Sequence, residues 1–373
     1  MRTEARIDLA AIRDNVAALA ARAAGGAQVM AVVKADGYGH GLVPSARAAV
    51  AGGAAWLGVA FLDEALAVRA AGLDVPVLAW LTTPGEDLAA AVAAGIDLGA
   101  YDLAQVEAAT AAARATGTTA RLQLKADTGL SRGGATIGAW PDLCEAAAKA
   151  EAGGEVRVTG LWSHFAFADG GPDHPTNTRQ AQVFAEALEV ADRAGLRPDV
   201  RHLANSAATL TAPATHYDLV RPGLAVYGLS PVPQLGGPAD FGLRPAMTLA
   251  STVALTKRVP AGTGVSYLHR HVTAGETTLA LVPLGYADGV PRGATNLGPV
   301  QLGGRRRRVA GTVCMDQFVL DVGDDPVAAG DEVLLFGPGD SGEPTAQEWA
   351  DALGTINYEI VTRVGARVPR VLV

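Results

Sequence analysis

A regular alternation in roughly the first 230 residues constrains this chain more than anything else in it. Short apolar runs begin near Val29, Trp56, Val75, Ile96, Ala120, Val156, Val200 and Leu219. Alanine-rich stretches with helical spacing separate most of them: Asp63–Ala71, Glu86–Ala94, Leu103–Thr116 and Thr178–Ala194. Strands alternating with helices over about 200 residues predict an α/β fold, a (β/α)8 TIM-type barrel, with a doubly wound open sheet as the alternative. The alternation stops at residues 229–240 (LSPVPQLGGPAD), where proline and glycine break both periods and mark a linker. Strand-like segments follow at Met247–Lys257, Thr278–Leu284, Arg308–Val313, Phe318–Val322 and Glu332–Phe336. Only Thr345–Leu353 reads as helix there. The expected organisation is a barrel over residues 1–240 and a mostly-β domain over residues 241–373.

Composition narrows the function classes. Hydrophobic residues make up 49% and charged residues 18%, enough apolar side chains for a sizeable core and too many for disorder. The longest uncharged apolar run, Ala48–Leu62, is interrupted by glycines and too short to span a bilayer. The N-terminal MRTEARID alternates charges, so no secretory signal is expected. Two cysteines, Cys144 and Cys314, cannot form a disulfide framework or a four-thiolate metal site, which points to a cytoplasmic protein. A net charge of −8 argues against general nucleic-acid binding. The Arg305–Arg308 run therefore reads as a solvated hairpin.

In a barrel, catalytic groups gather at the C-terminal ends of the strands. The first apolar run ends in VVKADGYGHG, with Lys34 at its tip. A buried ammonium needs a partner, whereas a desolvated lysine gains a free lone pair and can form a Schiff base. Alternatively, Lys34 snorkels past the barrel rim. After the seventh strand comes HLANSAATL, where Asn205 or Ser206 can cap a helix whose free N–H groups suit a phosphate. After the eighth comes RPGLAVYG, where Gly223 lets the backbone approach a ligand closely. An ordinary capped helix and a turn glycine are the bland alternatives. Together, a strand-tip lysine and a phosphate site point to a phosphorylated aldehyde cofactor.

At these residues the chain resembles the alanine racemases. The matching motifs run in family order through AVVKADGYGHG (31–41), LKADTGLSRGG (124–134), SHFAFAD (163–169), HLANSA (202–207), VRPGLAVYG (220–228), GVSYLH (264–269), PLGYADG (283–289), GTVCMDQ (311–317) and TINYEIVTR (355–363). The resemblance implies a pyridoxal 5'-phosphate enzyme with a barrel and a C-terminal β domain. It implies interconversion of L- and D-alanine by a two-base mechanism on the external aldimine, supplying D-alanine for the bacterial cell wall. It also implies a homodimer with shared active sites, and no nucleic-acid or membrane partner.

The residue roles that follow are likewise implied by the resemblance. Lys34 corresponds to the Schiff-base lysine and first catalytic base, and Tyr267 to the opposite-face base. Tyr38, Ser206, Tyr358 and the backbone of Gly223 and Leu224 correspond to phosphate ligands; Asn205 belongs to the same motif. His164 lies beside the cofactor ring, and Arg221 faces the pyridine nitrogen. A guanidinium there leaves that nitrogen unprotonated and the cofactor a weaker electron sink, which favours reprotonation at Cα over transamination. A hydrogen-bond chain is expected from Tyr267 through His202 to Arg221. Arg132 corresponds to a substrate-carboxylate ligand, and Lys125 to a position that carries a carbamylated lysine in some relatives. Met315 is expected at the substrate, with Tyr286, Arg292 and Asp316 lining its entrance.

The chain departs from the family pattern at Asp36-Gly37, at Ser131 and at Leu268, the last two where glycine is usual. Two competing functions share parts of the pattern. A decarboxylase of similar architecture is echoed by Cys314 and Asp316, but its glycine triplet and Glu-Pro-Gly-Arg segment are absent. A single-barrel pyridoxal-phosphate carrier would not need the second domain.

Overall fold

Strand β1 (Thr3–Ile7) precedes eight parallel strands: β2 (Gln28–Val32), β3 (Trp56–Val59), β4 (Val77–Ala79), β5 (Asp97–Ala100), β6 (Ala120–Lys125), β7 (Val156–Trp162), β8 (Val200–His202) and β9 (Leu219–Val220). Their ladder order is β8-β7-β6-β5-β4-β3-β2-β9, which is the expected barrel sheet. Each strand lies in one of the eight apolar runs. Strands buried on both faces read as continuous apolar sequence, and every residue of β3, β4 and β5 is buried. Met30, Trp56, Leu78, Val200 and Leu219 pack as one cluster from five of the eight strands. The computed structural model describes residues 2–373.

The connecting helices follow local chemistry. Asp102 caps helix Leu103–Thr116 by accepting from Gln105 N at 2.9 Å, and Gly117 ends it at φ +66°. Helices Leu9–Arg22, Leu42–Ala51 and Trp140–Ala152 were not among the expected segments.

The chain divides into two compact units. One comprises Ile12–Gly37 and Leu42–Leu243; the other comprises residues 2–11, Tyr38–Gly41 and Arg244–Val373. The N-terminal strand therefore belongs with the C-terminal residues, unlike the division expected at residue 240. Its register explains why: Thr3–Ile7 pairs antiparallel with β10 (Met247–Thr252), from Thr3↔Ser251 to Ile7↔Met247.

The second unit continues with β11 (Leu255–Val259), β12 (Gly264–Val265), β13 (His271–Val272), β14 (Thr277–Val282), β15 (Pro299–Leu302), β16 (Arg305–Arg308), β17 (Phe318–Gly323), β18 (Glu332–Phe336) and β19 (Arg370–Leu372). A six-stranded sheet runs β16-β15-β18-β10-β1-β19, and a three-stranded sheet runs β11-β14-β17. The strand expected at Arg308–Val313 is cut short: after Arg308 only a bridge between Val309 and Leu320 continues it, because Gly311 sits at φ +81° and interrupts extended backbone there. A Cβ on Gly311 would lie 2.6 Å from the Val265 carbonyl oxygen. The arginine run is β16 itself, paired with β15 as a hairpin, and Arg305 and Arg307 both ion-pair with Asp325. Thr345 and Glu348 form a reciprocal capping box on helix Ala346–Leu353, and a further helix occupies Asn357–Thr362.

Candidate active site

The C-terminal strand ends of the barrel carry an unusual set of side chains. Lys34 follows β2, Trp80 follows β4, Tyr101 follows β5, Lys125 ends β6, Trp162 ends β7, His202 ends β8 and Arg221 follows β9. Cations and aromatic rings interleave. Lys125 Nζ lies 4.6 Å from the Trp162 ring centroid and 5.3 Å from that of Tyr101. Lys34 Nζ lies 5.9 Å from Trp80, and the Arg221 guanidinium 5.0 Å from Trp162.

Burial and mutual repulsion shift the lysines. Lys34 is held below the usual ammonium range by desolvation first and by the Arg132 charge second, with Glu64 opposing. Lys125 is pushed down to about 8 by burial, Arg221 and Arg132. Both are thus closer to the neutral, nucleophilic form than a solvated lysine.

The backbone after Lys34 is strained. Ala35, Asp36, Gly37 and Tyr38 all take φ between +53° and +60°. The left-handed helical sense costs L-residues about 1–2 kcal/mol each, Gly37 excepted. Three hydrogen bonds offset this: Ala35 N to Glu64 Oε1 at 2.6 Å, Gly37 N to the Val33 carbonyl at 2.8 Å, and Leu42 N to Asp36 Oδ1 at 2.8 Å.

Arg221 is the most constrained residue of the group. It is buried and has no carboxylate within ion-pairing distance among the described residues. Nη2 donates to the carbonyls of Ser163 at 2.7 Å and Leu203 at 3.3 Å, and to His164 Nδ1 at 3.2 Å. Nη1 donates to His202 Nδ1 at 2.9 Å. Burial lowers Arg221 to about 9, which leaves it charged at neutral pH. Burial, with the Arg221 charge second, holds His164 and His202 well below the usual imidazole range.

The expected Tyr267–His202–Arg221 chain needs correction. His202 is fully buried, its Nδ1 faces Arg221 and its Nε2 is 2.7 Å from Gln123 Oε1, so neither nitrogen is left for a tyrosine. His164 is only half-buried, its Nδ1 accepts from Arg221, and its Nε2 has no partner among the described residues. His164 is therefore the histidine through which Arg221 can act on a further group.

Asn205 caps helix Ser206–Thr211 by accepting from Ala208 N at 3.0 Å, which fully accounts for it structurally. Ser206 Oγ accepts from Gly223 N at 2.8 Å and Ala225 N at 3.3 Å, leaving its hydroxyl hydrogen to donate. Gly223 N–H is thus already engaged. Arg132 is exposed, on a loop shaped by Asp127 Oδ1, which accepts from the backbone N–H groups of Gly129, Leu130 and Ser131. Ser131 adopts φ +55° without being glycine.

Within the other unit, Tyr38 and Tyr358 bring their rings 6.4 Å apart. Burial pushes the Tyr38 hydroxyl pKa up, so it remains a proton donor. Tyr286 N donates to the Cys314 carbonyl at 3.0 Å and Ala287 N to that of Met315 at 2.9 Å, binding two candidate entrance segments together. Asp316 pairs with Arg367 Nη2 at 2.7 Å. Arg292 is exposed and begins a short turn, Arg292–Ala294, whose last residue is buried. Tyr267 is 70% exposed and Leu268 75%, at φ +66°. Sequence reasoning missed Trp80, Tyr101, Trp162 and Gln123; the strand-tip rule that found Lys34 also reaches the three aromatics.

Comparison with known proteins supplies the remaining findings. The model for the N-terminal domain of alanine racemase matches residues 7–231, and that for the C-terminal domain matches residues 246–372. A protein named alanine racemase from Frankia casuarinae is 69% identical over 370 residues, covering 99% of this chain and 96% of that one. The solved alanine racemase of Streptomyces coelicolor A3(2) is 59% identical, covering 100% of this chain and 98% of its own, at a TM-score of 0.98. The Bacillus anthracis alanine racemase structure with bound L-Ala-P is 34% identical, covering 100% of this chain and 95% of its own, at a TM-score of 0.92.

Proposed function

The chain belongs to the alanine racemase family, and on that premise we propose how its own residues interconvert L- and D-alanine. The observation that carries the reading is the strand-end group of a desolvated Lys34, His164 and a buried Arg221 with its charge retained. Pyridoxal 5'-phosphate, the family's cofactor, supplies an aldehyde for amine exchange and a ring that stabilises negative charge at the substrate Cα.

The residues present fit that group. An aldehyde needs a neutral amine, and Lys34 is shifted toward one. A phosphate needs donors, and Ser206, Tyr38 and Tyr358 carry hydroxyls suited to it. An unprotonated pyridine nitrogen needs a fixed donor, and Arg221 has no carboxylate to take up its charge.

Lys34, once its amine is released, moves a proton on one face of the substrate Cα. Tyr267 serves the opposite face. Arg132 binds the substrate carboxylate, Lys125 orients Arg132 when it carries a carbamate, whose negative charge replaces the repelling ammonium, and Met315, Tyr286, Arg292 and Asp316 restrict the entrance to a small side chain. The exposure of Tyr267, Leu268 and Met315 supports a homodimer in which one subunit's C-terminal unit completes its partner's barrel end. His164 Nε2, in place of His202, is the acceptor assigned to Tyr267 in that arrangement.

No helix among the described residues is long and apolar enough to cross a membrane, and we assign the enzyme to the cytoplasm. The test is α-proton exchange in deuterated water over a panel of L- and D-amino acids. Exchange confined to alanine and close analogues, lost together with the visible absorbance of bound cofactor in Lys34→Ala, is the expected result. Carbon dioxide release, or cofactor binding without exchange, would replace the reading with a decarboxylase or a carrier.

A further inference from the structure

Behind Arg221 runs a buried line of hydrogen bonds whose direction can be worked out donor by donor. Asp97, at the start of β5, is fully buried and ion-pairs with Arg121 Nε at 2.6 Å. It also accepts from Thr159 Oγ1 at 2.5 Å and from Gln123 Nε2 at 3.0 Å. A carboxylate paired with arginine is an acceptor only, so the nitrogen end of the Gln123 amide must face it. The oxygen end then faces His202 Nε2 at 2.7 Å, which must carry the imidazole proton. At the other side of the ring, Arg221 Nη1 is a donor only, so His202 Nδ1 must present its lone pair. The two ends agree on a single tautomer.

Packing leaves no second arrangement. His202 is stacked on Trp162, with ring centroids 5.7 Å apart and planes 7° from parallel. Gly160 lies opposite Gln123 in the β6–β7 register, and a Cβ there would sit 2.7 Å from Gln123 Oε1. The missing side chain at Gly160 is what gives the Gln123 amide its place.

We propose that Asp97 and Gln123 are positioning residues for Arg221, holding His202 neutral with its proton on Nε2 so that Nδ1 receives the guanidinium. The proposal rests on the reading of Arg221 as the group that faces the cofactor ring. Asp97 orients Gln123, Gln123 orients the proton of His202, and His202 sets the guanidinium plane. A proton on Nδ1 would set one N–H against another and displace Arg221 from that plane.

The test uses the full-length, cofactor-loaded protein with histidine labelled in both ring nitrogens. Nitrogen NMR reads the tautomer of His202, assigned by loss of its signals in His202→Asn. Wild type should show the proton on Nε2 alone. Asp97→Asn can offer an N–H to Gln123 and so lets that amide turn over; Gln123→Met removes the acceptor outright and serves if the first variant misfolds. Either should give a mixed or reversed tautomer and roughly a tenfold fall in kcat, with cofactor absorbance retained and the alanine KM within about threefold.

A wild-type His202 protonated on Nδ1 overturns the proposal. So does an unchanged tautomer in both variants, or a changed tautomer with kcat unaltered. A wild-type protein inactive on alanine overturns the functional reading instead; the tautomer needs no substrate and tells the two failures apart.

Discussion

Gly285→Ala tests whether the two candidate entrance segments are held together as described. Gly285 sits directly before Tyr286, and an added Cβ would lie 2.3 Å from both the Cys314 and the Met315 carbonyl oxygens. Ordinary contact begins near 3.4 Å, so both carbonyls must retreat by about 1 Å. Those same oxygens accept from Tyr286 N at 3.0 Å and Ala287 N at 2.9 Å. A retreat of that size breaks both bonds, at about 1 kcal/mol each, and overpacking adds about 1–3 kcal/mol. The expected loss is about 3–5 kcal/mol, read as a lower denaturation midpoint at fixed protein concentration. Because the displaced backbone carries Met315 and Tyr286, the alanine KM should rise as well. Gly275→Ala is the control: a Cβ there meets nothing within 4 Å, and stability should stay within about 0.5 kcal/mol of wild type. A Gly285→Ala protein less than about 1 kcal/mol destabilised would refute the packing argument.

Three further outcomes are expected. Lys125 loses its proton near pH 8 when folded but near its ordinary 10.5 when unfolded, so the unfolded chain binds more protons between those values and stability rises with pH. In buffer free of carbon dioxide, urea titrations of the cofactor-free protein should show Lys125 contributing a gain of about 1 kcal/mol from pH 8 to 9, read as the difference between wild type and Lys125→Met; the same pH dependence in both proteins contradicts it. Cys144, pushed up from its ordinary 9 to about 12 by burial, acts with the opposite sign from about pH 8.5 upward, and equally in both proteins. Leu268→Gly removes an exposed side chain from a residue at φ +66° and should raise stability by about 0.5–1 kcal/mol, whereas a loss above about 1 kcal/mol would mean that Leu268 is not strained. Finally, Lys34→Ala and Tyr267→Phe should each be nearly inactive, yet co-refolding them with random pairing should recover roughly a quarter of wild-type activity, since half the dimers are mixed and half of their sites intact; verified mixed dimers with no recovery exclude shared sites.

The barrel was legible because its strands are buried on both faces, so Val29–Val33, Trp56–Ala60 and their counterparts stand out as apolar runs. Strand β1 was not. Its alternation of buried Thr3, Ala5 and Ile7 with Glu4 and Arg6 is short, and its partner β10 lies some 240 residues away, so nothing local announces the pairing. Lys34 and Arg221 could be found at strand ends. The partners of His202 could not, because its access to Gln123 depends on the register that sets Gly160 opposite Gln123 and Trp162 opposite Lys125. Ser131 and Leu268 mark another limit. Composition disfavours positive φ for both, and surrounding structure imposes it anyway.

The arginine hairpin bears on how this protein behaves at high concentration. Strand β16 ends its six-stranded sheet, and a terminal strand offers unpaired backbone groups to any other chain that can lie alongside it. Here four successive residues are arginine, so a second copy approaching edge to edge brings like charges into register. Asp325 and Glu348 neutralise part of that charge within the chain. Stripping it away by Arg306→Val and Arg308→Val would create a β-branched edge without a gatekeeper. Such a protein should fold and then form intermolecular β-aggregates on storage, faster still as salt screens the remaining arginines.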